Sequence, residues 1–143
     1  MENTTVAAKN SARYCTTGDG VAMGGYDPVS YFPEGGGTPL KGFVLRSTQH
    51  DGVTYRFAND KNLNAFKADP AKYLPAFGGW CAWAVGKLDK KVDSDPENFT
   101  IEDGKVHLFY KQEELDALKD WKAHHKDLAE AAQSNWSKKD EKK

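Results

Sequence analysis

Two Asp-Gly pairs, Asp51-Gly52 and Asp103-Gly104, constrain this fold more than any other feature of the chain. A two-residue hairpin turn of the common type needs positive φ at both central residues, and Asp-Gly is among the few pairs that accept it. Each pair lies between segments with strand character. Phe43-Val44-Leu45 begins the strand that enters the first turn, and Val53-Thr54-Tyr55-Arg56-Phe57 leaves it with Val53, Tyr55 and Phe57 on one face. The second hairpin runs from Phe99 to Glu102 and returns from Lys105 to Tyr110. There Val106, Leu108 and Tyr110 share one face, and His107 and Phe109 the other. A two-stranded hairpin is not stable alone, so helices must cover both.

The helix signals are short. Asp27-Pro28 reads as an N-cap followed by Pro at the first helical position, with Val29, Tyr31 and Phe32 in the turn or two before Pro33 and Gly35-Gly36-Gly37. Asn59 or Asp60 caps a helix carrying Leu63 and Phe66, and Asp69-Pro70 opens another that ends near Tyr73-Leu74-Pro75. Leu118, Trp121, His125, Leu128 and Ala132 recur at three- and four-residue steps, which predicts one face of a single long C-terminal helix pinned by Trp136. No βαβ rhythm is present. The expected class is α+β: two antiparallel β-hairpins packed with short helices and one long C-terminal helix. Residues 1–13 read as a flexible segment, 14–136 as one domain, and 137–143 as a charged, frayed tail.

Charge and length exclude several roles. The net charge is −1 and no basic stripe is interleaved with aromatics, so a nucleic-acid partner is not expected. No window has the apolar length of a membrane span, so membrane insertion is not expected either. The stretch from Met1 to Asn10 lacks the apolar segment of a signal peptide, which fits a cytosolic chain or a mature exported one. Two cysteines, Cys15 and Cys81, allow at most one disulfide, and no C-x-x-C is present.

The richest chemistry lies in Gly78-Gly79-Trp80-Cys81-Ala82-Trp83, where a lone thiol sits between two indoles behind a pair of glycines. Buried Cys is commonly an inert core residue and Trp commonly packs. Two readings remain open. A soft metal such as copper(I) suits thiolate and imidazole ligands, which selects Cys81 and His107, with His124 and His125 as weaker imidazoles. Alternatively, Trp80, Trp83, Tyr26, Tyr31 and Phe77 line an aromatic pocket for a small organic ligand or a protein partner, with Asp27 or Cys81 as its polar handle. A thiol enzyme would need Cys81, His107 and Asp27 or Asp95 together. No local signature supports it, so a binding role is expected rather than catalysis.

Several motifs, in order, resemble those of a known family. They are Gly25-Tyr26-Asp27-Pro28-Val29-Ser30-Tyr31-Phe32, Gly52-Val53-Thr54-Tyr55-Arg56-Phe57-Ala58, Asp69-Pro70-Ala71-Lys72-Tyr73-Leu74-Pro75, Gly78-Gly79-Trp80-Cys81-Ala82, Asp95-Pro96-Glu97-Asn98-Phe99 and Asn135-Trp136. Over roughly residues 14–136 the chain resembles YHS domain-containing proteins of the small, often exported bacterial type. The resemblance implies a periplasmic location in mature form and heavy-metal binding, the latter through a "Tyr-x-Phe-Cys-Ser…Cys" pattern. In this chain the two thiol positions fall at Ala58 and near Leu63, and His107 stands where close relatives tend to carry Tyr. Cys81 is the motif thiol that remains, and with Trp80, Trp83, Tyr26 and Asp27 it completes the expected site.

Overall fold

Both Asp-Gly pairs are hairpin turns. Asp51 and Gly52 have φ of 55° and 80°, Asp103 and Gly104 of 54° and 77°, so each pair supplies the left-handed backbone that the turn requires. A computed structural model describes residues 13–141, with side chains to residue 138. The first hairpin joins β1 (Phe43–His50) to β2 (Val53–Phe57), and the second joins β3 (Asp95–Glu102) to β4 (Lys105–Phe109), both antiparallel. A minimal third pairing, β5 (Lys111–Gln112) with β6 (Leu115–Asp116), follows at once. Five α-helices are present among the described residues: α1 (Asp60–Ala68), α2 (Pro70–Tyr73), α3 (Ala82–Lys87), α4 (Ala117–Ala123) and α5 (His125–Glu141). The class is α+β, as expected.

Two apolar clusters form the interior. Val53, Tyr55 and Phe57 of β2 are buried in the first, beside Val29, Tyr31, Phe32, Phe66 and Tyr73. Val106 and Leu108 of β4 join them from the other hairpin. The second cluster gathers Cys81, Ala82, Ala84 and Val85 with Phe109, Trp121, Leu128 and Ala132. Strand β4 thus buries one face in each cluster. Tyr110, expected beside Val106 and Leu108, packs on the second cluster because the strand ends at Phe109.

Four local expectations are corrected. Residues 28–32 form turns rather than a helix; the Asp27 carboxylate does accept from the backbone N–H of Val29 and Ser30, but Pro33 and the glycines leave no room for a second helical turn. The helix α3 was not foreseen. It is only six residues long, and its stability comes from packing Gly86 against α5, where an added Cβ would lie 2.6 Å from the Leu128 carbonyl oxygen. The long C-terminal helix is broken at His124, whose φ/ψ of −127°/41° separates α4 from α5. Finally, α5 continues as helix through Glu141, so the expected frayed tail is helical to that point. Of the expected flexible N-terminal segment, residues 1–12 lie outside the described residues.

The buried carboxylate of Asp27 organises the first cluster. Its Oδ1 takes the two turn N–H groups, while Oδ2 accepts from the Ala58 N–H and the Asn62 side-chain amide, each at 2.8 Å. Asn59 caps α1 by accepting from the Asn62 N–H, which holds Asn62 in place. No accepting capacity on Asp27 faces solvent, since the residue is fully buried.

Candidate functional site

Cys81 is sealed. It is fully buried, and its Sγ accepts the Tyr110 backbone N–H at 3.2 Å. Burial pushes its thiol pKa up despite that contact, so at neutral pH it is a protonated thiol, neither a nucleophile nor a ready ligand. Cys15, half-buried, is also pushed up by burial, to about 11. Both cysteines are free thiols. Among the described residues, no three His, Cys, Asp or Glu side chains are grouped to hold a metal. Among the described residues a donor set centred on Cys81 therefore does not fit a metal: the sulfur is buried and already engaged by the backbone N–H groups of Tyr110, Trp83 and Ala84.

The remaining expected residues disperse. The Tyr26 hydroxyl donates to Glu97 at 2.7 Å, and Asp27 is the buried hub described above. The Trp80 indole N–H donates to the Arg13 carbonyl at 2.9 Å, and that of Trp83 to Asp120 at 2.6 Å. Tyr31 donates to the Pro96 carbonyl at 2.6 Å. Each polar tip already has a partner within the protein, so these rings are structural members rather than one converging site. Of the expected residues, Phe77 and His107 meet at one cavity.

That cavity is a cleft of about 310 Å3. One wall is the tip of the second hairpin, Glu102, Asp103, Lys105 and His107; another is Pro75 to Gly78; Arg13 and Tyr14 close one side and Trp136 of α5 the other. The glycine pair explains how the segment around Gly78 comes so close to Arg13. Gly78 has φ +63°, and a Cβ there would lie 2.3 Å from the Arg13 carbonyl oxygen. Cys15 N–H donates to the Gly78 carbonyl at 2.8 Å, completing the clasp with the Trp80 contact. The Arg13 guanidinium lies over the Trp136 ring, 5.4 Å from its centroid.

Phe77 is the strained residue of the site. Its φ of 55° is a conformation that a bulky side chain rarely adopts. The strain sets its ring edge-on to both His107 (centroids 5.6 Å, 81°) and Trp136 (6.1 Å, 78°). His107 is held from behind: Nδ1 lies 3.0 Å from the Lys105 carbonyl oxygen. A carbonyl can only accept, so Nδ1 carries the proton. Burial lowers the His107 pKa below 6.5, outweighing the Lys105 carbonyl and Glu102, which act the other way. The ring is thus neutral at pH 7, and Nε2 presents a lone pair. No hydrogen bond to Nε2 is found among the described residues, and His107 is one of the residues that line the cleft.

Glu102 braces this arrangement. It accepts from the Trp121 indole at 3.0 Å and lies 2.8 Å from His125 Nε2. Burial raises its pKa most, but these two contacts together with the charge interactions of His107 and His125 outweigh it and hold Glu102 below the usual carboxylate value. With Arg13 and Lys105 opposing Glu102 and Asp103, the lining carries no net charge. His125, expected to be packed in the apolar stripe, instead has a side chain 53% exposed, with its ring edge-on to Trp121 at 5.8 Å. Trp136, Arg13 and Glu102 escaped sequence reasoning as cleft residues; the glycine pair directly after Phe77 was the local signal that a close backbone crossing occurs there.

No protein-family model, curated protein or solved structure matches this chain at a significant level. No helix among the described residues is long and apolar enough to cross a membrane.

Proposed function

We propose that this chain is a YHS-like binding domain whose ligand is a small, uncharged organic molecule held in the cleft between Phe77, His107 and Trp136. The observation that carries this reading is His107: a buried, neutral imidazole in the lining of the cleft, whose tautomer is fixed by the Lys105 carbonyl so that Nε2 is the acceptor nitrogen. The fitting ligand has an apolar or aromatic body that packs on Phe77 and Trp136, and one N–H or O–H group that donates to Nε2. Its size is limited by a cavity at the small end of the usual range, about 300–1,000 Å3 for ligand pockets. The balanced lining favours a ligand without net charge. Among the two expected readings this is the aromatic pocket, relocated from Trp80 and Trp83 to the far side of the glycine pair.

The test is a ligand-observed NMR screen of small aromatic fragments against the wild type and His107→Phe. Fragments with a ring N–H or phenolic O–H should bind the wild type and lose about tenfold or more in His107→Phe, which keeps a ring but deletes the acceptor. Equal binding to both proteins, or no binding by any fragment, would reject the site.

A further inference from the structure

Strand β1 exposes apolar side chains in an unbroken run. Phe43 is 55% exposed, Val44 65% and Leu45 95%, with Leu40 at 44% just before the strand. A single exposed Leu is ordinary; a contiguous patch marks an interaction surface. The backbone shows why the run projects. β1 pairs with β2 at Phe43↔Phe57 and resumes only at Ser47↔Arg56, so Val44, Leu45 and Arg46 form a bulge. The base of the bulge is fixed, because Gly42 is pressed so closely on β2 that a Cβ would lie 2.4 Å from the Arg56 carbonyl carbon.

The bulge also narrows what can cover this surface. It interrupts the regular row of backbone groups that strand addition by another protein would need. Four side chains fall well short of the roughly 800 Å2 per partner that a stable dimer buries. Charge favours a third occupant. Lys41 and Arg46 bracket the apolar run, and Arg56 stands opposite Ser47 in the ladder. Among the described residues Asp60 pairs with Arg46 at 3.1 Å. The tip is cationic although the whole chain carries −1.

We propose that the Leu40–Arg46 tip docks on the surface of an anionic lipid bilayer, with Phe43, Val44 and Leu45 in the interface and Lys41 and Arg46 at the headgroup phosphates. This is peripheral attachment and needs no spanning segment. The experiment is co-flotation of the full chain with vesicles of phosphatidylcholine alone, or of phosphatidylcholine mixed with phosphatidylglycerol. Binding to the mixed vesicles alone is expected, weakening as salt is raised. Leu45→Asp should reduce it about tenfold or more and Lys41→Glu several-fold. Both side chains are solvent-exposed, so unchanged thermal melts would show that the variants remain folded. The proposal is overturned by wild type that floats with neither vesicle or equally with both, or by binding indifferent to Leu45→Asp. A stable dimer in sedimentation equilibrium that Leu45→Asp dissociates would equally overturn it, in favour of a second copy as occupant.

Discussion

Asp27 Oδ2 and the side-chain amide of Asn62 lie 2.8 Å apart in the interior, joining the turn that follows Asp27 to the start of α1. Asp27→Ala would leave the N–H groups of Val29 and Ala58 and the Asn62 amide without their acceptor, while the Ser30 N–H keeps the Asp27 backbone carbonyl. The expected loss is about 3 kcal/mol or more in a guanidinium titration, because several buried donors lose a charged partner at once. Asn62→Ala removes one donor and should cost about 1–3 kcal/mol. The two effects should fall short of additivity in the double variant, since both act on one hydrogen bond.

Stability should decline on acidification through the His107 ring. Its pKa in the folded state is lowered by burial below 6.5. The unfolded chain therefore takes up the proton first as pH falls, so the native state is favoured fully above pH ~6.5 and progressively less below it. Melting temperatures between pH 8 and pH 5 should fall with pH, and His107→Phe should flatten that slope. Cleft ligands that donate to Nε2 should weaken over the same interval as the lone pair is lost.

The Cys81 thiol should be inert in the native protein. Its enclosure and raised pKa predict negligible modification by Ellman's reagent at neutral pH until denaturant is added. Cys81→Ala should cost about 1–2 kcal/mol, from the lost acceptor for Tyr110 N–H and the small void. In a Cu(I) competition against a colorimetric chelator, wild type and Cys81→Ala should behave alike. A copper-dependent difference between them would restore the metal reading.

Glycine substitutions should separate contact from conformation. At Gly86 an added side chain meets Leu128 O at 2.6 Å and Ala132 N at 3.3 Å, so Gly86→Val should cost about 2–3 kcal/mol by forcing α3 off α5. At Gly104 nothing lies within 4 Å of an added Cβ, but φ is +77°. Gly104→Ala should therefore cost about 1–2 kcal/mol through backbone strain alone. Equal losses at both positions by chemical denaturation would contradict this assignment.

Local chemistry made much of the fold readable. Asp-Gly turns, the alternation of Val53, Tyr55 and Phe57, and the Asn59 cap are each decided by a few adjacent residues, and each matches the structure. The break at His124 was not readable, because no Gly or Pro stands there. It coincides with tertiary holds on both sides: Trp83 on Asp120, and Glu102 beside His125. The cleft was only half visible for the same reason. Its members come from Arg13, Phe77, His107 and Trp136, which no sequence period links. The sulfur of Cys81 drew attention because of its neighbours in sequence, whereas in space it is buried among apolar side chains and backbone N–H groups of Tyr110, Trp83 and Ala84.

The placement of β4 bears on how the molecule melts. Val106 and Leu108 belong to one apolar cluster and Phe109 to the other, so the strand serves as a party wall. Neither half comes apart without disturbing the other, because one short strand supplies side chains to both. Loss of helix signal and loss of aromatic side-chain ellipticity should consequently coincide on heating, giving one cooperative transition for the whole chain rather than a staged collapse.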